Sequence, residues 1–344
     1  LRIWLDINTP KQVLFLSKLA ERLESRGHEV FKTARKYREV VQLLKLKRVT
    51  AKVVGEHGGP TLEGKLRASL SRALQLAKLI KAWRPDLAIS FSSPEAARIA
   101  FGLKIPHYCV NDSPHAEAVA RLTVPLSSKL FTPACIPKTK WIKLGIDEAD
   151  IVQYRAVDPA AWLKGLKVKR RLRRRPLVVV RVEEEQASYL IGKEGKVVKI
   201  AEELLRRAEV SLVILPRYKE QVLRLKRLFK DKAWVPTRVI DSIKLLSKTH
   251  LFIGGGGTMT WEAALMGVPS ISCTPLEGLD VERYLVELGL IRRAKSVDEA
   301  IKEADYILSH LEEELRRQAT LAGKVLSEME DPTEVIADWI EKAF

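Results

Sequence analysis

Two stretches of the chain hold residue types that can do chemistry. The first is Asn111–Thr123, NDSPHAEAVARLT, where Asp112, His115, Glu117 and Arg121 crowd together behind an apolar run. Such a group has the composition of an acid/base site. His115 and Glu117 are two positions apart and do not share a helix face, yet both border the mouth of a helix opened by Pro114. The same residue types also serve as helix caps and surface ion pairs, and both readings stand at this level. The second stretch is Leu251–Ile271, LFIGGGGTMTWEAALMGVPSI. The apolar Leu251–Ile253 runs into Gly254, Gly255, Gly256 and Gly257, and a helical pattern follows from Thr258 and Met259 through Glu262 to Met266. Glycines admit positive φ and keep side chains out of the turn. The helix behind them offers unpaired N–H groups and a partial positive charge, so an anion can dock there. This is not a P-loop, because the Lys-Ser/Thr pair is absent, and the spacing does not fit the dinucleotide fingerprint.

The elements that position these residues alternate between strand and helix. Arg2–Ile7 has no acid before Asp6, as a buried parallel strand would. Asn8, Thr9 and Pro10 turn the chain, with Thr9 expected to cap a helix over Lys11–Ser25 that Gly27 stops. The turn places Asp6 and Asn8 at the carboxyl end of a strand, where open α/β sheets bind ligands. Helices are expected over Tyr37–Leu46, Leu62–Trp83 and Pro94–Phe101, with strands at Ala51–Val54, Leu87–Ser90, Pro106–Val110, Ser128–Thr132 and Ile151–Tyr154. His57 falls in the flexible loop GEHGGP and is expected to be exposed.

A basic run, WLKGLKVKRRLRRR, then marks either a solvated face or a linker. The alternation resumes after it, with a strand PLVVVRV that ends in Arg181 and Val182. Arg181, and Arg217 after the strand Ser211–Leu215, can each hold a phosphate in bidentate fashion. A helix is expected over Val239–Ser247. The expected organisation is an N-terminal Rossmann-like domain over 1–158, a basic linker over 159–175, and a second Rossmann-like domain over 176–327. A terminal helix over 328–344 is expected to pack back on the first domain. Two parallel-sheet domains imply a central cleft as the binding site.

Composition narrows the classes. The 344 residues suit two domains with cores of their own. There is no apolar run long enough for a membrane-spanning helix and no visible signal peptide. The scattered Cys109, Cys135 and Cys273 suggest reduced core thiols in a cytoplasmic protein, with no metal spacing. Sixty Lys and Arg against 43 Asp and Glu give a net charge of +17. Nucleic acid is a poor fit, since no binding motif or interleaved aromatic stripe accompanies the charge. An anionic membrane face, an acidic substrate or an ion-rich, heat-adapted surface each agrees with it.

On these residues the chain is identified as a member of the DUF354 family. The resemblance spans LDINTP, EHGG, NDSPHAEA, VVVRVE, ILPRY, GGGGTMTWEAALMGVPSISC and YLVELGL, nearly the whole sequence. That family is similar to UDP-N-acetylglucosamine 2-epimerases and MurG-type glycosyltransferases, which implies the two-domain glycosyltransferase B fold. The epimerase segment H-x-E-A-G-x-R is matched by His115, Glu117, Ala118 and Arg121, with Val119 where glycine is usual. The resemblance implies acid/base chemistry at the sugar for Glu117. The similarity around Gly256, Gly257, Glu262 and Ala263 implies that the glycines and the helix mouth face a nucleotide diphosphate while Glu262 contacts ribose.

Two departures stand out. Arg181, Val182, Glu183 and Glu184 replace the epimerase His-Arg-x-Glu-Asn segment. Gln12 stands near the position of the MurG-type histidine, which leaves Asp6, Asp112, His115 or Glu117 as the base. The implied activity is sugar transfer from a UDP-sugar substrate to an acceptor, with no tightly bound cofactor; the positive surface agrees with a phosphorylated or lipid-linked acceptor. The alternatives are 2-epimerisation and a non-catalytic nucleotide-sugar-binding or scaffold role.

Overall fold

The computed structural model describes residues 1–168, 170–183, 196–276 and 278–344. The sequence predicts a loop after Val182, and its Glu184, Glu185, Ser188 and Tyr189 lie outside the described residues. The chain divides into two compact units, Leu1–Trp162 with Met329–Phe344, and Leu163–Glu328.

The first unit runs β1 (Arg2–Ile7), α1 (Pro10–Ser25), β2 (Glu29–Lys36), α2 (Arg38–Lys47), β3 (Lys52–Glu56), α3 (Leu62–Trp83), β4 (Leu87–Ser90), α4 (Pro94–Gly102) and β5 (His107–Val110). It continues with α5 (Glu117–Ala120), β6 (Lys129–Pro133), α6 (Lys138–Ile142), β7 (Ile151–Tyr154) and α7 (Ala160–Leu163). Among the described residues its strands form one parallel sheet in the order β3-β2-β1-β4-β5-β6-β7. The chain leaves β1 toward one edge and returns at β4 on the other side, so β1 and β4 flank the topological switch point, the ligand-binding position of such sheets. The apolar run of β1 is buried because helices cover both faces. Trp4 donates its indole N–H to Thr33 Oγ1 at 2.8 Å, and its ring packs with Leu76, Ile80, Ala96 and Ile99. On α1, Val13, Leu16, Leu19, Ala20 and Leu23 are buried at helical spacing, each large side chain contributing about 1.5–3 kcal/mol.

The second unit runs β8 (Leu177–Arg181), α8 (Val197–Arg207), β9 (Ser211–Leu215), α9 (Lys219–Phe229), β10 (Ala233–Trp234), α10 (Ser242–Leu246), β11 (Leu251–Gly254) and α11 (Thr258–Leu265). Then come β12 (Ser270–Ser272), α12 (Asp280–Glu287), β13 (Arg292–Arg293), α13 (Val297–Ser309) and α14 (Leu311–Glu328). The strand order is β10-β9-β8-β11-β12-β13, all parallel, with its switch point between β8 and β11. The last helix, α15 (Pro332–Ala343), belongs to the first unit. It is tied to α1 by Arg22 with Asp331 at 2.6 Å and Glu334, and by Arg26 with Glu334 and Asp338, the latter at 2.7 Å.

Several expectations change. Pro114 does not open a helix: Ser113 N–H donates to Asn111 Oδ1 at 2.8 Å and holds a turn, and α5 begins only at Glu117. Thr9 precedes α1 without a side-chain cap, and Pro10 alone starts the helix. The helix expected over Val239–Ser247 is confined to Ser242–Leu246, capped by Asp241. The basic run is not simply a solvated face. Arg170 is half-buried and donates to the carbonyls of Gly267 at 2.9 Å, Leu246 at 3.2 Å and Met266 at 3.2 Å, which closes the carboxyl ends of α10 and α11. Burial lowers its pKa to about 10.

Candidate functional site

In the second unit, β11 is hydrogen-bonded on both sides, so Gly254 lies in register with Arg181 of β8 and Ser272 of β12. The chain leaves the sheet there, at the switch point. Gly255 N–H donates to Arg181 O at 3.0 Å, and a Cβ on Gly255 would stand 2.4 Å from Glu183 Cγ. Close backbone approach therefore requires a glycine at that position. Gly256 and Gly257 take φ of 96° and 91°, and Gly257 is the N-cap of α11 with no side-chain cap and no acid in the first turn.

That mouth stands apart from its neighbours. Glu183 accepts from Lys196 N–H at 2.6 Å and Val197 N–H at 2.9 Å, so its carboxylate fills the start of α8. Asp241 caps α10 and Ser296 caps α13, Gln221 caps α9, and α12 carries Asp280 and Glu282 in its first turn. The mouth of α11 has no such internal anion among the described residues, and its rim, Gly257, Thr258 and Met259, is the partly exposed end of an otherwise buried stretch. Arg217 is held beside it. Its Nε donates to Val182 O at 3.0 Å, its Nη2 lies 3.4 Å from Gly256 O, and Gln221 Oε1 fixes its backbone N–H at 2.7 Å. The nearest atom to a Cβ placed on Gly257 would be Arg217 Nη2, at 3.9 Å. An anchored guanidinium beside uncapped N–H groups has the chemistry of a phosphate cradle.

The remaining candidates of this unit are held as follows. Arg181 donates through Nη1 to Pro216 O at 2.8 Å, which steadies the loop carrying Arg217. Glu262 is buried and accepts from Ser242 Oγ at 3.4 Å. Glu282 of α12, which sequence reasoning did not single out, is buried and accepts from Ser272 Oγ at the end of β12 at 3.0 Å. Burial pushes its carboxyl up, against the Ser272 hydrogen bond and the charge of Arg293.

In the first unit Asp6 is not placed as a base. It is fully buried and receives Arg72 Nη1 at 2.9 Å and Nη2 at 2.6 Å, with the Ser93 and Thr33 hydroxyls at 2.6 Å each. Burial pushes the carboxyl up, but Arg72 and the two hydroxyls outweigh it and hold Asp6 below its usual range. The residue locks β1, β2, α3 and the turn after β4 together. Gln12 completes that lock, donating to Phe91 O at 2.8 Å and accepting from Asn8 N–H at 2.5 Å. His57 is half-buried, with its ring centroid 4.8 Å from that of Tyr37. Burial and the nearby Arg35 and Lys65 lower its pKa.

Asp112 lies in the centre that carries most chemistry. It pairs with Lys11, which also pairs with Asp158 and sits 4.2 Å over the Phe91 ring. Tyr154 donates its hydroxyl to Asp158, and Ser113 Oγ donates to Asp112 at 2.8 Å. Two buried carboxyls with one ammonium between them cannot both ionise freely. Burial first, and then the neighbouring Asp112, push Asp158 up to about 7 against the pull of Lys11. Asp112, whose burial is outweighed by Lys11, is held below its usual range. Sequence reasoning found Asp112 but neither Lys11 nor Asp158. His115 and Glu117 do not join this cluster: both are exposed, and Glu117 pairs with Arg121 at 2.6 Å one helical turn away. Among the described residues, no three His, Cys, Asp or Glu side chains are grouped to hold a metal ion.

The motifs that run from the first strand to the last helices find their counterpart in one family. Residues 1–344 match the family described as "protein of unknown function (DUF354)". The chain belongs to the DUF354 family. An uncharacterised protein of Methanocaldococcus jannaschii is 30% identical to this DUF354 chain over 98% of its residues and 96% of the relative's. Solved structures share its fold at low identity. The Staphylococcus aureus MnaA structure with UDP superposes with a TM-score of 0.77 at 15% identity, over 99% of this chain and 96% of the other. UDP-GlcNAc 2-epimerase from Neisseria meningitidis bound to UDP-GlcNAc gives 0.68 at 15%, over 99% and 100%. The spinosyn forosaminyltransferase SpnP gives 0.63 at 18%, over 99% and 98%. The DUF354 chain therefore has the α/β architecture of glycosyltransferase B type proteins.

Proposed function

We propose that this DUF354 protein binds a nucleotide sugar through its second unit and transfers the sugar to an acceptor hydroxyl. The carrying observation is the mouth of α11, which is uncapped, free of first-turn acid, and flanked by an anchored Arg217. A diphosphate there receives the N–H groups of the first helical turn and one guanidinium, which is the charge stabilisation that a departing nucleoside diphosphate needs. Structures of similar fold hold UDP or UDP-GlcNAc, which supports a uridine nucleotide as the donor class. In the transfer step the acceptor oxygen bonds to the anomeric carbon, its proton passes to a carboxylate, and the bond to the diphosphate breaks with the electron pair leaving on the phosphate oxygen. Within the first unit, Asp112 paired with Lys11 is the carboxylate that offers acid/base chemistry.

A second reading is 2-epimerisation, in which Glu117 acts at the sugar. It is favoured by the match of His115, Glu117 and Arg121 to the epimerase segment and by the exposure of all three. Calorimetric titration with UDP, UMP and a panel of UDP-, GDP- and dTDP-sugars tests the shared part. UDP is expected to bind and UMP to bind at least about tenfold more weakly, because it lacks the second phosphate. No binding across the panel rules out both readings. Incubating the bound donor alone separates them, since epimer formed without an acceptor favours the second.

A further inference from the structure

Helix α3 carries an unusual outer face. Its inner side is fixed to the sheet by Arg72, Leu76 and Ile80, all buried. Its outer side presents Leu62, Leu66, Leu70 and Leu74, which are 73%, 60%, 59% and 71% exposed. A four-residue step advances only about 40° around a helix, so the four leucines make one slanting stripe three turns long. Scattered exposed leucines are ordinary, but a contiguous stripe of this kind marks an interaction surface. Strand β3 lies at the edge of the sheet, packed against α3 through Val54.

Cations outnumber acids around the stripe. Lys65, Arg67, Lys78 and Lys81 lie on α3, and Lys52 precedes Val53 on β3. The exposed acid of the helix, Glu63, is spent on Arg67, whose Nε it accepts at 2.9 Å. This pattern discriminates between occupants. A second copy of the chain docking through the same stripe about a two-fold axis would bring these cations against their own duplicates, which opposes association. An acidic lipid surface meets the leucines with acyl chains and the cations with phosphates, the arrangement of interfacial amphipathic helices. No helix of the described residues is long and apolar enough to cross a membrane, so the contact is a surface one.

We propose that the outer face of α3 docks on an anionic lipid bilayer, with the leucine stripe entering the headgroup boundary and Lys65, Lys78 and Lys81 meeting lipid phosphates. The proposal is independent of the nucleotide-sugar reading. The test is flotation of the full chain with vesicles of phosphatidylcholine alone and of phosphatidylcholine mixed with phosphatidylglycerol, together with sedimentation velocity without lipid. The wild type is expected to float with the mixed vesicles only. The double variant Leu66→Glu/Leu70→Glu, which alters only exposed positions, is expected to bind them at least about 100-fold more weakly while keeping its circular dichroism spectrum. Lys78→Glu/Lys81→Glu is expected to weaken flotation and its salt dependence together. A wild-type chain that stays with the unfloated fraction, or a leucine variant that floats like the wild type, overturns the proposal. So does a wild-type dimer that the leucine variant splits into monomers, which would assign the stripe to a second copy.

Discussion

Replacing Asp158 by Asn tests the buried carboxyl pair directly. The amide is nearly isosteric and can still accept the Tyr154 hydroxyl, but it does not titrate. Asp158 is raised in the folded chain from 3.8 to about 7, first by burial and then by Asp112. Between those two values the folded state holds a proton that the unfolded chain has released. Stability therefore falls as pH rises across that window, and the contribution is fully present only below about pH 4. A shift of roughly 3 units at about 1.4 kcal/mol each sets a ceiling near 4 kcal/mol, and relaxation around the pair reduces this to about 2–4 kcal/mol.

The cluster's other members act outside the window. Asp112 is lowered, so its contribution is present above 3.8 and lost as pH falls below it. Lys11 is raised from 10.5, so its contribution is lost only at more alkaline pH. Urea unfolding followed by tryptophan fluorescence between pH 4.5 and 7.5 is the assay, with Trp4 and Trp141 reporting from the core of the same unit. Relative to the wild type, Asp158→Asn is expected to gain about 2–4 kcal/mol across that range. Parallel stability curves for the two proteins would refute the raised carboxyl of Asp158.

His107 should act with the opposite sign. Burial lowers it to about 4 while its ring sits between Ser90 and Ser127, so stability is lost as pH falls from about 6.5 to 4, by at most about 3 kcal/mol. His107→Gln should flatten that limb in the same urea series. Asp6→Asn leaves the Arg72 guanidinium buried without its anion and should cost about 3–5 kcal/mol in thermal or urea unfolding; a variant of wild-type stability but no turnover would return Asp6 to the list of bases. Arg217→Ala is expected to weaken UDP binding about 10- to 100-fold in calorimetry with little loss of stability, and an unchanged affinity would remove Arg217 from the cradle.

Much of the scaffold was legible because it is written locally. The strand with no acid before Asp6, the Gly27 stop, and the strand–glycine–helix order at Gly254–Gly257 depend on neighbours in sequence, and these elements stand within a few residues of their expected places. The acid/base centre was not local. Lys11 and Asp112 are 101 positions apart and meet because both lie at the carboxyl side of one sheet. Asp6 read as a ligand-facing strand-end acid because its partner, Arg72, is 66 positions away on a helix that resembles any other amphipathic helix in sequence. Arg170 was indistinguishable from the basic residues around it, since its partners are backbone carbonyls, which no composition reveals. The strand Arg292–Arg293 carries two arginines and is held by its pairing with β12 rather than by any propensity.

The return of α15 to the first unit bears on how the chain is made. Trp339 packs edge-on against Phe131 at 6.4 Å, and Ile336, Ala337 and Ile340 are buried, so the final helix contributes core as well as ion pairs to a unit that begins at the other end of the sequence. During synthesis all of Leu163–Glu328 leaves the ribosome before that helix does. The first unit therefore lacks the cover of α15 over α1 until the second has emerged. A nascent chain halted after the second unit should be sensitive to protease in its older half and resistant in its younger one, the reverse of the usual order.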